Sequence, residues 1–154
     1  MAWTNSKIFM AFETDLQNNT TAMDMNADSI KTALYGTTPT PDQTVTSANT
    51  AYAVAQWVVG SELTSTGWPA GGNALASITS VFASNVYTFD AADRAGGASD
   101  TITACFGVLN YDDTIAAPVA DQGICYNYLG GSNSVVAGTF TVVWHTSGIY
   151  ILTL

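Results

Sequence analysis

Residues 101–111 read TITACFGVLNY, and this stretch decides the fold. Ile102, Ala104, Phe106 and Val108 share one parity while Thr101 and Thr103 take the other, the two-residue period of a β-strand. Asp112-Asp113 then supplies turn chemistry. Toward the C-terminus, residues 123–129 form another strand-like run and Gly130-Gly131-Ser132-Asn133 reads as the next turn. Residues 139–144 place Phe140, Val142 and Trp144 together, and residues 149–154 form an apolar last strand that ties the C-terminus into a sheet. Toward the N-terminus, residues 74–83 lead into a strand at 85–89, followed by a turn at Ala95-Gly96-Gly97. Ser29-Ile30-Lys31-Thr32-Ala33-Leu34-Tyr35 is a further extended run. The expected architecture is all-β, mainly an antiparallel β-sandwich or barrel-like fold, with a short N-terminal helix.

The connections are less regular. Gly67-Trp68-Pro69-Ala70-Gly71-Gly72 must be a turn, because glycine and proline at four of six positions break any regular element. Residues 48–58 hold a helical turn or two, with Tyr52 and Trp57 packing inward. At the N-terminus, Ile8, Phe12 and Leu16 recur at four-residue spacing beside Phe9. That spacing predicts a helix over residues 4–17, capped by Thr4 or Asn5, although Ile8, Met10 and Phe12 also alternate as a strand would. The 154 residues then form one domain, with residues 1–25 as an N-terminal segment and 26–154 as the sandwich.

Charge excludes several functions. Charged residues make up only 10% of the chain, against about 25% in an average soluble domain. Twelve acids face three basic residues, Lys7, Lys31 and Arg94, for a net charge of −9. Three cations cannot neutralise a phosphate backbone, so no nucleic-acid partner is expected. An anionic membrane repels such a chain, no apolar run approaches the ~18 residues of a membrane span, and MAWTNSKIFMAF carries no basic leader of the secretory type. A folded chain of this mass exposes roughly 7,400 Å², about one charge per 500 Å². Such a surface suits contact with other protein.

The residues that carry chemistry are few. His145 is the sole imidazole, beside a turn at Ser147-Gly148, and no GxSxG elbow accompanies it, so no enzyme and no catalytic residue is expected. Asp90, Asp93 and Asp100 lack the spacing of a calcium loop, and Asp112-Asp113 are turn residues, so neither a metal nor a cofactor is assigned. Cys105 and Cys125 lie in strand-like runs, either as two buried thiols or as a cross-sheet disulfide. Trp68 is the best candidate for an exposed ring: a sugar platform, a subunit contact or an anchor for its own loop. Trp3, Ile8, Phe9 and Phe12 make the N-terminal segment too apolar to be free, so it either covers the sandwich or docks on a partner. These five residues are the candidate protein contacts.

The order of segments resembles a family of small virion structural proteins of tailed bacteriophages, described as head decoration, head fibre or minor tail proteins. The resemblance rests on Asp28-Ser29-Ile30-Lys31-Thr32-Ala33-Leu34-Tyr35 before a Thr/Pro segment, and on Gly67-Trp68-Pro69-Ala70-Gly71-Gly72-Asn73-Ala74-Leu75. It continues through Tyr87-Thr88-Phe89-Asp90-Ala91-Ala92-Asp93, Leu109-Asn110-Tyr111-Asp112-Asp113-Thr114 and Gly138-Thr139-Phe140-Thr141-Val142-Val143-Trp144 to Ser147-Gly148-Ile149. It implies a capsid decoration (cement) protein on the outer surface of a phage head, assembled in the bacterial host cytoplasm. The implied partners are the major capsid protein and further copies of itself, as a trimer or larger ring. The alternatives are a tail or fibre-associated structural protein and a carbohydrate-binding module for host-surface glycan.

Overall fold

The computed structural model describes residues 3–153. Its strands are Lys7–Ile8 (β1), Ile30–Tyr35 (β2), Asn73–Ala74 (β3), Thr79–Ala83 (β4), Val86–Asp90 (β5), Arg94–Ala95 (β6), Asp100–Asp112 (β7), Gly123–Gly138 (β8), Thr141–Val142 (β9) and Tyr150–Thr153 (β10). Two helices, Met10–Gln17 (α1) and Ser47–Thr50 (α2), and 3₁₀ turns at Ala55–Trp57 and Val59–Ser61 complete it. Strands take 40% of the chain and helix 12%, so the fold is all-β with a short N-terminal helix. Every ladder is antiparallel. One sheet runs β1-β8-β7-β2-β3, a second runs β10-β5-β4, and β6 pairs with β9.

The stretch 101–111 forms the heart of β7, between β8 and β2. Its alternation holds for exposed Thr101, buried Ile102 and exposed Thr103, then stops. Ala104 has φ +55° and the register with β8 shifts on both sides of Cys105, so a bulge interrupts the pleat. From Cys105 to Asp112 every residue is buried, because both faces of the sheet are covered. On one face, Trp3 and Trp57 lie over Tyr35 and Tyr126, with ring centroids 5.1–6.1 Å apart. Tyr52 stacks on Tyr111 at 4.9 Å. On the other, Asn110 Nδ2 donates to Asn127 Oδ1 at 2.8 Å, and Asn127 Nδ2 donates to the Ile149 carbonyl beside β10 at 3.0 Å. Phe89 and Tyr150 of the second sheet stack there, with Phe12 of α1 edge-on to Tyr150.

Two expectations need correction. The helix predicted over 4–17 begins only at Met10: Phe9 is its extended N-cap residue, neither Thr4 nor Asn5 caps it, and Lys7 and Ile8 pair with Tyr126 and Cys125. Ile8 leaves the helical spacing because the free edge of β8 offers the backbone a ladder, while Phe12 and Leu16 keep theirs on α1. The N-terminal segment is therefore built into the main sheet. Likewise Gly130-Gly131-Ser132-Asn133 is no turn, but lies inside the 16-residue β8. Gly130 and Gly131 take φ +80° and +154° and kink the strand opposite the β7 bulge. Asn133 Nδ2 holds the kink by donating to the carbonyls of Leu129, Gly131 and Cys105. Leu154, the expected end of the last strand, lies outside the described residues.

Cys105 and Cys125 are buried free thiols, not a disulfide. Cys105 Sγ faces the Gly107 carbonyl, and Asn110 Nδ2 donates to Cys125 Sγ at 3.4 Å.

Gly107 is where the Trp3 ring meets β7 face to face: a Cβ there would collide with three atoms of the indole. Gly107→Ala is expected to lower the unfolding free energy by about 1–3 kcal/mol through overpacking. Trp3→Ala is expected to cost about 3–5 kcal/mol. Urea denaturation of the double variant should show a loss smaller than the sum, because the added methyl occupies space the indole has left.

Candidate protein-contact surface

Four of the five residues singled out as protein contacts are fully buried within the chain. Trp3, Phe9, Phe12 and Trp68 are each 0% exposed, and Ile8 is half-buried in β1. Trp3 Nε1 donates to the Gly36 carbonyl at 2.7 Å, and Phe9 sits edge-on to Trp57 and Tyr126. Trp68 anchors its own loop, donating Nε1–H to the Phe140 carbonyl at 3.1 Å and meeting the Phe140 ring edge-on. Asp100 fixes the same loop by accepting the Gly67 and Gly97 N–H groups at 2.7 and 2.6 Å. Burial alone would raise the Asp100 pKa, but these donors and the Ser65 hydroxyl leave it below the ordinary carboxylate range. Trp68 offers no face to a sugar or a subunit, since a ring this large in a Gly/Pro turn gains more by covering the sheet end than by facing water.

The residues with chemical potential are scattered. His145 is exposed, its Nδ1 accepting the Ser147 N–H at 3.1 Å. Burial pushes the Cys105 and Cys125 thiols up to about 12, so both stay protonated at neutral pH. Asp93 accepts the Trp144 N–H, Asp113 pairs with Lys31 at 2.9 Å, and Asp112 Oδ1 accepts the Thr114 and Ile115 N–H groups. Among the described residues no three His, Cys, Asp or Glu side chains come together as a metal site. A groove of about 580 Å³ beside β10 includes Trp144 and His145 but no carboxylate, thiol or lysine in its walls.

The exposed large apolar side chains are mostly aliphatic, and they include Met10, Val136 and Val143 at 55%, 77% and 66%. Val54, Val58 and Val59 are 41%, 41% and 47% exposed on one short loop, and Val81, Phe82 and Ile151 are 53%, 58% and 48% exposed on the second sheet. The loop is held from beneath. Trp57 is buried among Trp3, Phe9, Tyr35 and Tyr126, its carbonyl accepts the Tyr35 hydroxyl at 2.7 Å, and the Ala53 N–H donates to the same carbonyl. Tyr52 Oη donates to Glu62 Oε2 at 2.7 Å, and Glu62 also accepts the Gly71 N–H. Ala53 and Ala55 take φ +64° and +50°, a conformation L-residues keep only where the surroundings impose it. The valines are thus displayed on a preformed loop, which removes the ordering cost from any contact they make. Sequence reading took Tyr52 and Trp57 as inward-facing, as they are, and passed over the valines. The signal was there: with Trp57 inside, the consecutive Val58 and Val59 leave one or both outside.

No protein-family model matches the chain, and no curated protein or solved structure shows significant similarity to it.

One buried carboxyl has a measurable consequence. Burial, opposed by the Thr114 N–H and reinforced by the neighbouring Asp28 carboxylate, pushes Asp112 up to about 6. The folded pKa lies above the unfolded one, so its contribution to stability is complete below about pH 4 and is lost as pH rises through 6. Asp112→Asn keeps the Oδ1 acceptor and removes the charge. In urea titrations it should be more stable than the native chain at pH 7.5, with the advantage shrinking toward zero at pH 4.

Proposed function

We propose that this protein is a virion structural protein: a capsid decoration (cement) protein that binds the outer surface of a tailed-phage head and stabilises the shell. The preformed loop with Val54, Val58 and Val59 carries the reading, because it sets an aliphatic contact on a surface of 7177 Å² with only about one charge per 500 Å². The resemblance in the order of segments supplies the phage context. The mechanism is passive. Many copies bury apolar and small polar surface on the major capsid protein, and mass action favours the closed shell over the open one. Repetition over the lattice adds avidity, so each contact can be weak. The net charge of −9 suits an outward-facing layer, since nothing in it attracts the packaged nucleic acid. Assembly takes place in the host cytoplasm, where buried free thiols are at home.

A tail or fibre-associated role uses the same surface at a different address, and electron microscopy of particles carrying the labelled protein separates the two. A glycan array tests the carbohydrate reading, for which a cement protein gives no reproducible binding.

The sharpest test is on the loop. Val58→Asp with Val59→Asp should lower occupancy on particles at least tenfold while the far-UV circular dichroism stays unchanged, as expected where an interface centre is disrupted. Val136→Asp, at a position 77% exposed on β8, is the control and should bind normally. Equal occupancy for both variants would remove the loop from the interface.

A further inference from the structure

β4 is an unprotected sheet edge. It lies outermost in the order β10-β5-β4, and among the described residues its free side carries no further strand. Sheet edges are ordinarily guarded by a proline, a lysine, a bulge or a covering loop, since unpaired N–H and C=O groups invite another strand. β4 reads Thr79-Ser80-Val81-Phe82-Ala83, pairs with β5 without a register shift, and leaves Val81 and Phe82 more than half exposed.

The hairpin geometry says which backbone groups are free. Ser84 and Asn85 form a two-residue turn with φ +51° and +64°, the positive values a type I′ turn requires. In such a hairpin the flanking residues Ala83 and Val86 exchange both hydrogen bonds. Thr79, Val81 and Ala83 therefore bond to β5, while Ser80 and Phe82 turn their N–H and C=O groups to the open edge.

We propose that β4 pairs antiparallel with β4 of a second copy of this chain, about a two-fold axis through Val81, making a continuous six-stranded sheet. The register is self-complementary. With Val81 opposite Val81 of the partner, Ser80 of each chain faces Phe82 of the other, and their free backbone groups exchange four hydrogen bonds. The two Phe82 rings each lie over a small serine and not against one another. The Val81 pair is non-hydrogen-bonded, which brings its side chains closest, and it completes a row Ile151-Thr88-Val81 that continues into the same row of the partner. Charge favours a second copy here as well: residues 74–89 contain no Asp, Glu, Lys, Arg or His, in a chain of net charge −9. The remaining long-range repulsion is screened beyond about 8 Å at physiological salt, so added salt strengthens the contact. A trimer or larger ring would need a second, different surface. The dimer forms without a shell and uses none of the loop valines, so its test is independent of the virion reading.

Sedimentation velocity tests it on the full chain. The native protein should approach twice its 16.1 kDa mass as concentration rises, more readily at higher salt. Val81→Lys sets two like charges face to face and should sediment as a monomer with an unchanged circular dichroism spectrum. Val81→Cys should cross-link into a covalent dimer under mild oxidation, because a non-hydrogen-bonded pair holds Cα atoms about 4.5 Å apart, within disulfide range. Val136→Cys on β8 should not. A native chain that stays monomeric at every concentration, a Val81→Lys chain that still dimerises, or equal cross-linking at positions 81 and 136 would each overturn the proposal.

Discussion

The packing of the Trp3 indole against Gly107 of β7 is the contact on which the rest of the structure depends. A glycine in the middle of a central strand weakens that strand by itself, since it adds no side chain to the sheet. Here the missing side chain is replaced by an aromatic ring from more than a hundred residues away. That ring brings the N-terminal segment across the sheet, gives Trp57 and Tyr126 an edge to pack against, and lets the chain between β2 and β3 lie as a lid over one face. With α1 and the second sheet over the other face, β7 becomes a strand buried on both sides, which is unusual for a two-layer antiparallel fold.

The cost of that arrangement falls on the loops, and polar groups meet it. Asp100 ties residues 67 and 97 together, Glu62 gathers Tyr52 and the Gly71 amide, and Asp112 satisfies two amides beyond the end of β7. These carboxylates act as fasteners for irregular backbone. The excess of Asp in the sequence is accounted for by turn geometry and by solvation of an otherwise bland exterior.

Burying the aromatics also decides what remains outside. Trp3, Phe9, Phe12, Trp57 and Trp68 all go inward, so the exposed large apolar side chains are valines, one phenylalanine, one isoleucine and one methionine. Six of them lie at the loop and on the second sheet, and the others are Met10, Val136 and Val143.

Much of the fold was legible in the sequence. The strand runs around residues 30–35, 86–90 and 101–111, the turn at 67–72 and the inward Tyr52 and Trp57 follow from local alternation, glycine and proline, which act within a few residues. Composition alone also determined that the exterior is thinly charged. What only the tertiary structure decided is which side of each element meets the core. The side chains of 101–111 keep one parity until a bulge at Ala104 resets it, and no local pattern announces a bulge. Ile8 leaves the helix for an edge ladder because β8 lies beside it, and Gly130-Gly131 stay in a strand where Asn133 Nδ2 donates to the carbonyls of Leu129 and Gly131 on either side of Gly130. Trp68 is hidden because the Phe140 carbonyl is there to receive its indole. Each of these turns on a partner distant in sequence, and the free energy of burial depends on that partner's position, which a one-dimensional pattern does not contain.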